Sequence, residues 1–178
     1  MKALADPVRL APLDKKGHLL QVVVETPRKS RNKFAFDPEQ KIFILKSVLP
    51  AGMVFPYDFG FLPRTRAEDG DPLDVLLLMD EPAYPGICVG SRLIGVIEGE
   101  QLDGKKRLRN DRLLAVAAVT HEYARIKRFG DLPEHWITEL EQFFVNYHNL
   151  EGKKYRLLGV RGHDTAMKLI QKSRKALR

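Results

Sequence analysis

Three features of the sequence predict an α+β fold built on a small β-barrel. Short apolar, β-branched segments fill the first two thirds of the 178-residue chain, and patterns of helical period are confined to the last third. The strand candidates read as continuous apolar runs instead of strict alternation, which marks strands buried on both sides, as in a small barrel wrapped by other elements. With 44% hydrophobic and 30% charged residues, a chain of this length sustains one substantial core, so 1–178 is expected to be a single domain.

Residues 19–25 are apolar and β-branched, and 33–36 and 41–46 are short strand candidates around an Asp37-Pro38-Glu39-Gln40 turn. Residues 73–79 form an unbroken apolar run, and further strands are expected over 87–98 and 112–119. Asp103-Gly104, between these last two, fits a hairpin with a long basic loop. A helix is predicted over 132–150: Asp131 with Glu134 three residues on forms a capping-box start, Pro133 suits the first turn, and Gly152 lies past the end. Its apolar positions Trp136, Ile137, Leu140, Phe143, Phe144, Tyr147 and Leu150 follow helical spacing and define one buried face. A second helix is expected after Asp164, through Ala166, Leu169 and Ile170, into a basic tail at about 171–178. No repeat, low-complexity tract or interdomain linker interrupts the chain.

The formal net charge of +7 is unevenly placed. Residues 152–178 hold nine Lys or Arg against the single acid Asp164, a net +8, which leaves 1–151 at −1. A second basic cluster comprises Lys105, Lys106, Arg107, Arg109 and Arg112. Apart from Tyr155, both clusters lack the interleaved aromatics that stack on bases, so they read as solvated faces ahead of a nucleic-acid site. One cysteine, Cys88, excludes an intrachain disulfide and is expected to be inert packing in an apolar strand. The N-terminal residues lack the apolar region of a signal peptide, and no apolar run approaches the roughly 20 residues that span a bilayer. A soluble cytoplasmic protein is the expectation.

The chemistry concentrates in Asp69-Gly70-Asp71-Pro72-Leu73-Asp74, three carboxylates in six positions directly ahead of an apolar strand. Carboxylate oxygens suit hard cations such as Mg²⁺ or Mn²⁺. On a straight strand Asp69 and Asp71 would share a face while Asp74 pointed away, so convergence requires the turn that Gly70 and Pro72 supply. The same composition also describes an acidic surface turn. The five histidines show no metal-ligand spacing, and no nucleophile elbow or phosphate-cradling glycine loop is present.

The order of motifs resembles that of the soluble, magnesium-dependent inorganic pyrophosphatases. Asp69-Gly70-Asp71-Pro72-Leu73-Asp74-Val75 satisfies that family's Asp-x-Asp-Pro-hydrophobic-Asp-hydrophobic signature, and the resemblance runs from about Leu19 to Gly159. It includes Val24-Glu25-Thr26-Pro27, Phe55-Pro56-Tyr57-Asp58-Phe59-Gly60, Asp131-Leu132-Pro133 and Phe143-Phe144-Val145-Asn146-Tyr147. The resemblance implies a closed, mostly antiparallel, five-stranded OB-like barrel flanked by two helices. It also implies hydrolysis of pyrophosphate to two phosphates with Mg²⁺, or Mn²⁺, as cofactor, and a homo-oligomer. Asp69, Asp74 and Glu25 would hold metal, Asp71 would activate water beside it, and Lys33, Arg112 and Tyr147 would bind phosphate.

Departures from the family pattern surround this core. Ala35 and Ser47 stand where the family has a glutamate and an arginine, Phe55 and Phe59 replace tyrosines, and His148 and Arg112 replace lysines. A metal-ligand aspartate two residues before that second lysine aligns with Asn110. Either Asn110 supplies a neutral oxygen, or a bulge brings Asp111 into the ligand set. These changes keep an alternative open: a related phosphoanhydride as substrate, or polyanion and nucleic-acid binding through the basic loop and tail.

Overall fold

The computed structural model describes residues 6–175. Strands β1 (Leu20–Thr26), β4 (Asp58–Leu62), β5 (Leu73–Leu78), β6 (Cys88–Asp103) and β8 (Arg112–Ala117) form a ring: the sheet runs β1-β4-β5-β8-β6, and β6 pairs back onto β1. Every junction is antiparallel except β5 with β8. β2 (Asn32–Asp37) and β3 (Ile42–Val48) make a separate two-stranded sheet, while β7 (Lys106–Arg109) and β9 (Lys154–Arg161) flank the long β6. Helices α1 (His135–Leu150) and α2 (His163–Lys175) complete the α+β fold. The closed five-stranded barrel with two flanking helices is the architecture the sequence and its resemblance led us to expect.

Double-sided burial explains the continuous apolar runs. Along β5, Val75 and Leu77 enter a core with Leu113, Ala115 and the α2 residues Ala166 and Ile170. The alternate residues Leu76 and Leu78 enter a second core with Leu114, Val116 and the α1 residues Trp136, Leu140 and Phe144. Both faces of β5 and β8 are therefore apolar, as period-2 side-chain alternation between two covering helices requires. β4 escaped the sequence reading because it is short and carries Gly60; a Cβ there would collide with the Val23 carbonyl of the adjoining β1.

Several expectations need correction. Asp131 does not cap α1; its carboxylate accepts from the Lys127 and Arg128 amides, and the helix begins after Glu134 without a side-chain cap. Leu150 is 54% exposed, and His148 is buried in the face where that leucine was expected. Cys88 opens β6 on the surface instead of packing inside. The basic segment 105–109 is mostly strand β7, paired with β6 across a tight turn, with Arg107 3.8 Å from Glu100 and Arg109 3.3 Å from Glu98. The C-terminal basic segment is no loose appendage as far as Lys175. Ser173 is buried, and its carbonyl accepts from the Arg66 amide at 3.1 Å; residues 176–178 of the expected tail lie outside the described residues.

Candidate active site

The acidic loop leads into β5 at one end of the barrel. Gly70 adopts φ +97°, where a side chain would be strained, and lets the chain reverse between Asp69 and Asp71. The Asp71 amide donates to Asp69 Oδ1 at 3.1 Å, and the Ala67 amide donates to the Asp71 carbonyl at 2.7 Å. These bonds fix the turn through its backbone. Among the described residues the Asp71 carboxylate makes no hydrogen bond or ion pair, so it is free to act on a ligand.

Glu25 reaches the same cleft by a β-bulge. Val24 pairs with Gly60 and Thr26 with Phe59, so Glu25 is the extra residue in β1, and a bulge redirects the side chain it carries. Its Oε1 accepts from the Phe36 amide at 2.7 Å. Burial pushes its carboxyl up to about 7, opposed by that amide and reinforced by Asp74, with Lys33 and Lys46 pulling the other way. A second bulge, at Lys46, follows from the pairing of Lys33 with Ser47 and of Phe34 with Leu45.

Asp74, at the start of β5, is part-buried, with 43% of its side chain open to solvent. Burial raises its pKa, Arg112 opposes that rise, and Asp69 adds to it. Asp69 is raised likewise, by burial and by Asp71. Glu25, Asp69, Asp71 and Asp74 thus form a wall of mutually repelling carboxylates. Among the described residues no three His, Cys, Asp or Glu side chains draw into a closed metal cluster. The donor chemistry nevertheless fits a hard divalent cation: each of these donors is a carboxylate oxygen, and a cation would relieve the repulsion among them.

Opposite this wall is a basic corner. The parallel register sets Arg112 beside Asp74, on the same face of adjoining strands. Arg112 Nε lies 3.6 Å from Asp74 Oδ2, but the side chain is only 4% exposed. Its guanidinium donates to the Asn110 carbonyl at 3.2 Å and to His148 Nε2 at 3.3 Å, and stacks 4.1 Å from the centre of the Phe144 ring. Arg112, expected to bind phosphate, is placed almost fully buried beside Asp74. An arginine can only donate, so His148 Nε2 accepts and the ring proton belongs on Nδ1. Burial and then Arg112 hold His148 down at about 3, a neutral imidazole stacked at 10° on Tyr155.

Lys33 and Tyr147 do meet, across 114 residues: the Lys33 ammonium donates to the Tyr147 hydroxyl and lies 4.9 Å above its ring. Tyr147 is held against Phe55 and Phe143, with ring centroids at 5.9 and 5.8 Å. Burial and Glu151 push its phenol upward, so it is a hydrogen-bond donor at neutral pH.

Two expected ligands part company. Asn110 Nδ2 donates to Gln101 Oε1 at 2.8 Å, leaving its oxygen as the atom a cation would use. Asp111 accepts from the Gly99 amide at 3.0 Å and pairs with Arg109 at 2.9 Å, lining a cavity of about 480 Å³ beneath α2. Its side chain is thus engaged on the other side of the chain from Arg112, as alternation of neighbouring residues directs.

Sequence reasoning missed Glu151 and Lys153. Glu151 accepts from the Tyr147 hydroxyl at 3.0 Å and lies 3.6 Å from both Lys33 and Lys153. The i, i+4 spacing of Tyr147 and Glu151 was the available signal.

Known proteins share both sequence and fold with this chain. The family model for inorganic pyrophosphatase matches residues 22–178. The inorganic pyrophosphatase of a Synechocystis strain is 38% identical over 160 residues, covering 90% of this chain and 92% of that protein. That of Thermus thermophilus is 38% identical over 149 residues, covering 84% and 83%. The crystal structure of the Thermus thermophilus inorganic pyrophosphatase superposes with a TM-score of 0.88 at 32% identity, over 97% of this chain and 99% of that one. The structure from Neisseria gonorrhoeae gives 0.85 at 31% identity, over 94% and 96%. The likeness spans barrel, helices and acidic loop together, and the chain belongs to the inorganic pyrophosphatase family.

Proposed function

We propose that the protein hydrolyses inorganic pyrophosphate to two phosphates with the help of a divalent cation, Mg²⁺ or Mn²⁺. The observation that carries this is a single cleft in which four carboxylates face an ammonium and a phenol: Asp74 feels the charges of Asp69, Asp71, Arg112 and Lys33 at once. Asp69, Asp74 and Glu25 would hold the cation, with the Asn110 oxygen as a neutral contributor. When bound, a cation neutralises phosphate oxygens and lowers the pKa of coordinated water.

Asp71 takes the proton from the attacking water as its oxygen bonds to phosphorus, and the bridging P–O bond breaks to release phosphate. Lys33 and Tyr147 bind phosphate oxygens by charge and by O–H donation. Arg112 acts through Asp74, holding the carboxylate in place from below. Asp71 suits its role because its backbone is fixed while its carboxylate is unengaged.

The reading extends to a homo-oligomer in the cytoplasm. Supporting self-association, Ile42, Leu45 and Val48 of β3 are each more than half exposed. No helix among the described residues is long and apolar enough to cross a membrane. Phosphate release from pyrophosphate with Mg²⁺, Mn²⁺ or chelator, with Asp71→Asn as control, tests the activity. Release that requires the cation and falls to background in the control is expected; release no greater than that control overturns the reading.

A further inference from the structure

Glu151 occupies a position built for a different anion. Its Oε1 accepts the Tyr147 hydroxyl at 3.0 Å and lies 3.6 Å from Lys33 Nζ; its Oε2 lies 3.6 Å from Lys153 Nζ and 4.0 Å from His148 Nδ1. Two ammonium groups, a phenolic O–H and the N–H of a neutral imidazole surround one carboxylate. Terminal phosphate oxygens accept the same donors.

The phenol and imidazole donors are fixed, and the acceptor is free to leave. Tyr147 is 6% exposed among aromatic rings, and His148 is buried against Tyr155. Glu151 is 34% exposed on its side chain. Its backbone is tied down where α1 ends: the amides of Glu151 and Lys153 both donate to the His148 carbonyl at 3.0 Å, and that of Gly152 donates to Asn149 at 3.1 Å. Withdrawal therefore needs only side-chain rotation toward solvent. Ammonium contacts at 3.6 Å on a partly exposed carboxylate are weak, whereas a phosphate group brings more charge and more acceptors to the same donors.

We propose that Glu151 is an intramolecular competitor for substrate, occupying a phosphate site formed by Lys33, Tyr147 and Lys153 until a phosphate group displaces it. This rests on the pyrophosphatase reading and adds Lys153 and Glu151 as determinants of affinity. It also gives the site a selectivity: a singly charged carboxylate gains little by exchanging with Glu151, while a multiply charged phosphate does gain.

Glu151→Gln removes the charge while retaining an acceptor for Tyr147. Orthophosphate affinity is measured by titration calorimetry on the wild type, Glu151→Gln, Glu151→Ala and Lys153→Met, alongside the KM for pyrophosphate. Removing the competitor should tighten orthophosphate and lower KM by about three-fold in each Glu151 variant, the scale of an exposed ion pair. Lys153→Met should weaken orthophosphate binding. Unchanged or weaker orthophosphate binding in both Glu151 variants overturns the proposal, since that is what a residue merely orienting Tyr147 and Lys33 would give. Calorimetry does not depend on turnover, so a wild type that binds orthophosphate without hydrolysing pyrophosphate overturns the functional reading alone.

Discussion

The two sides of the cleft treat charge in opposite ways. On the acidic wall, Glu25, Asp69 and Asp74 are raised by burial and by one another. In the basic corner Lys33, Arg112 and Lys153 each have a partner within the protein, and Glu151 is lowered because Lys33, Tyr147 and Lys153 outweigh its burial. The wall stores repulsion that a bound cation would relieve; the corner is already neutralised. On the proposed reading, folding stability resides in the corner and the capacity for chemistry in the wall.

The largest effect should come from the wall and leave the fold intact. Asp69→Asn keeps an oxygen for the Asp71 amide while removing a charge. It should lower metal-dependent hydrolysis by at least about 10²-fold without lowering the midpoint of thermal unfolding in chelator. A parallel loss of stability would erase the division between the two sides.

Arg112→Met tests the corner. It leaves His148, the Asn110 carbonyl and Asp74 without their shared cation, and breaking such a buried arrangement costs about 3 kcal/mol. Urea unfolding should show that loss with or without Mg²⁺. A variant as stable as the wild type would mean that Arg112 serves the ligand and not the fold.

The smallest effect sharpens the wall through pH. Glu25 is raised from 4.5 to about 7 on folding, so the folded state holds its proton more tightly than the unfolded chain. Stability from this group is full below pH 4.5 and is lost as pH rises through about 7; allowing for partial solvent access, the loss is about 2 kcal/mol. Unfolding in chelator should show a decline between pH 5 and 7.5 that Glu25→Gln lacks. An equal slope in both proteins would remove Glu25 from the repelling set.

Legibility in the sequence followed the range of the interactions. β1, β5 and β8 were visible because burial on both faces leaves an unbroken apolar run. β9 was not, because exposed Lys154, Arg156 and Arg161 around Gly159 hide its alternation. The acidic hexad was legible because its carboxylates are neighbours in the chain. The corner's residues were named only through the resemblance, and their contacts were hidden because Arg112 and His148 are 36 residues apart and Lys33 and Tyr147 are 114 apart. Arg112 was therefore legible as a member of the basic cluster and, by resemblance, as a phosphate binder, but its partners His148, Asp74 and Phe144 were not. Asp111 could be placed only once the strand alternation beside Arg112 was known.

Gly99 sets a further constraint on the corner. A Cβ at this position would collide with the Tyr155 ring and hydroxyl, and Tyr155 is the surface on which His148 stacks beneath Arg112. The residues at 99, 155, 148 and 112 are thus bound to vary together. A lineage that acquires a larger residue at 99 must shrink 155 first, and losing that ring deprives both the histidine and the arginine of their support. Among relatives, the identity of residue 99 should therefore foretell whether an arginine–histidine pair or some other cation lies beneath the site.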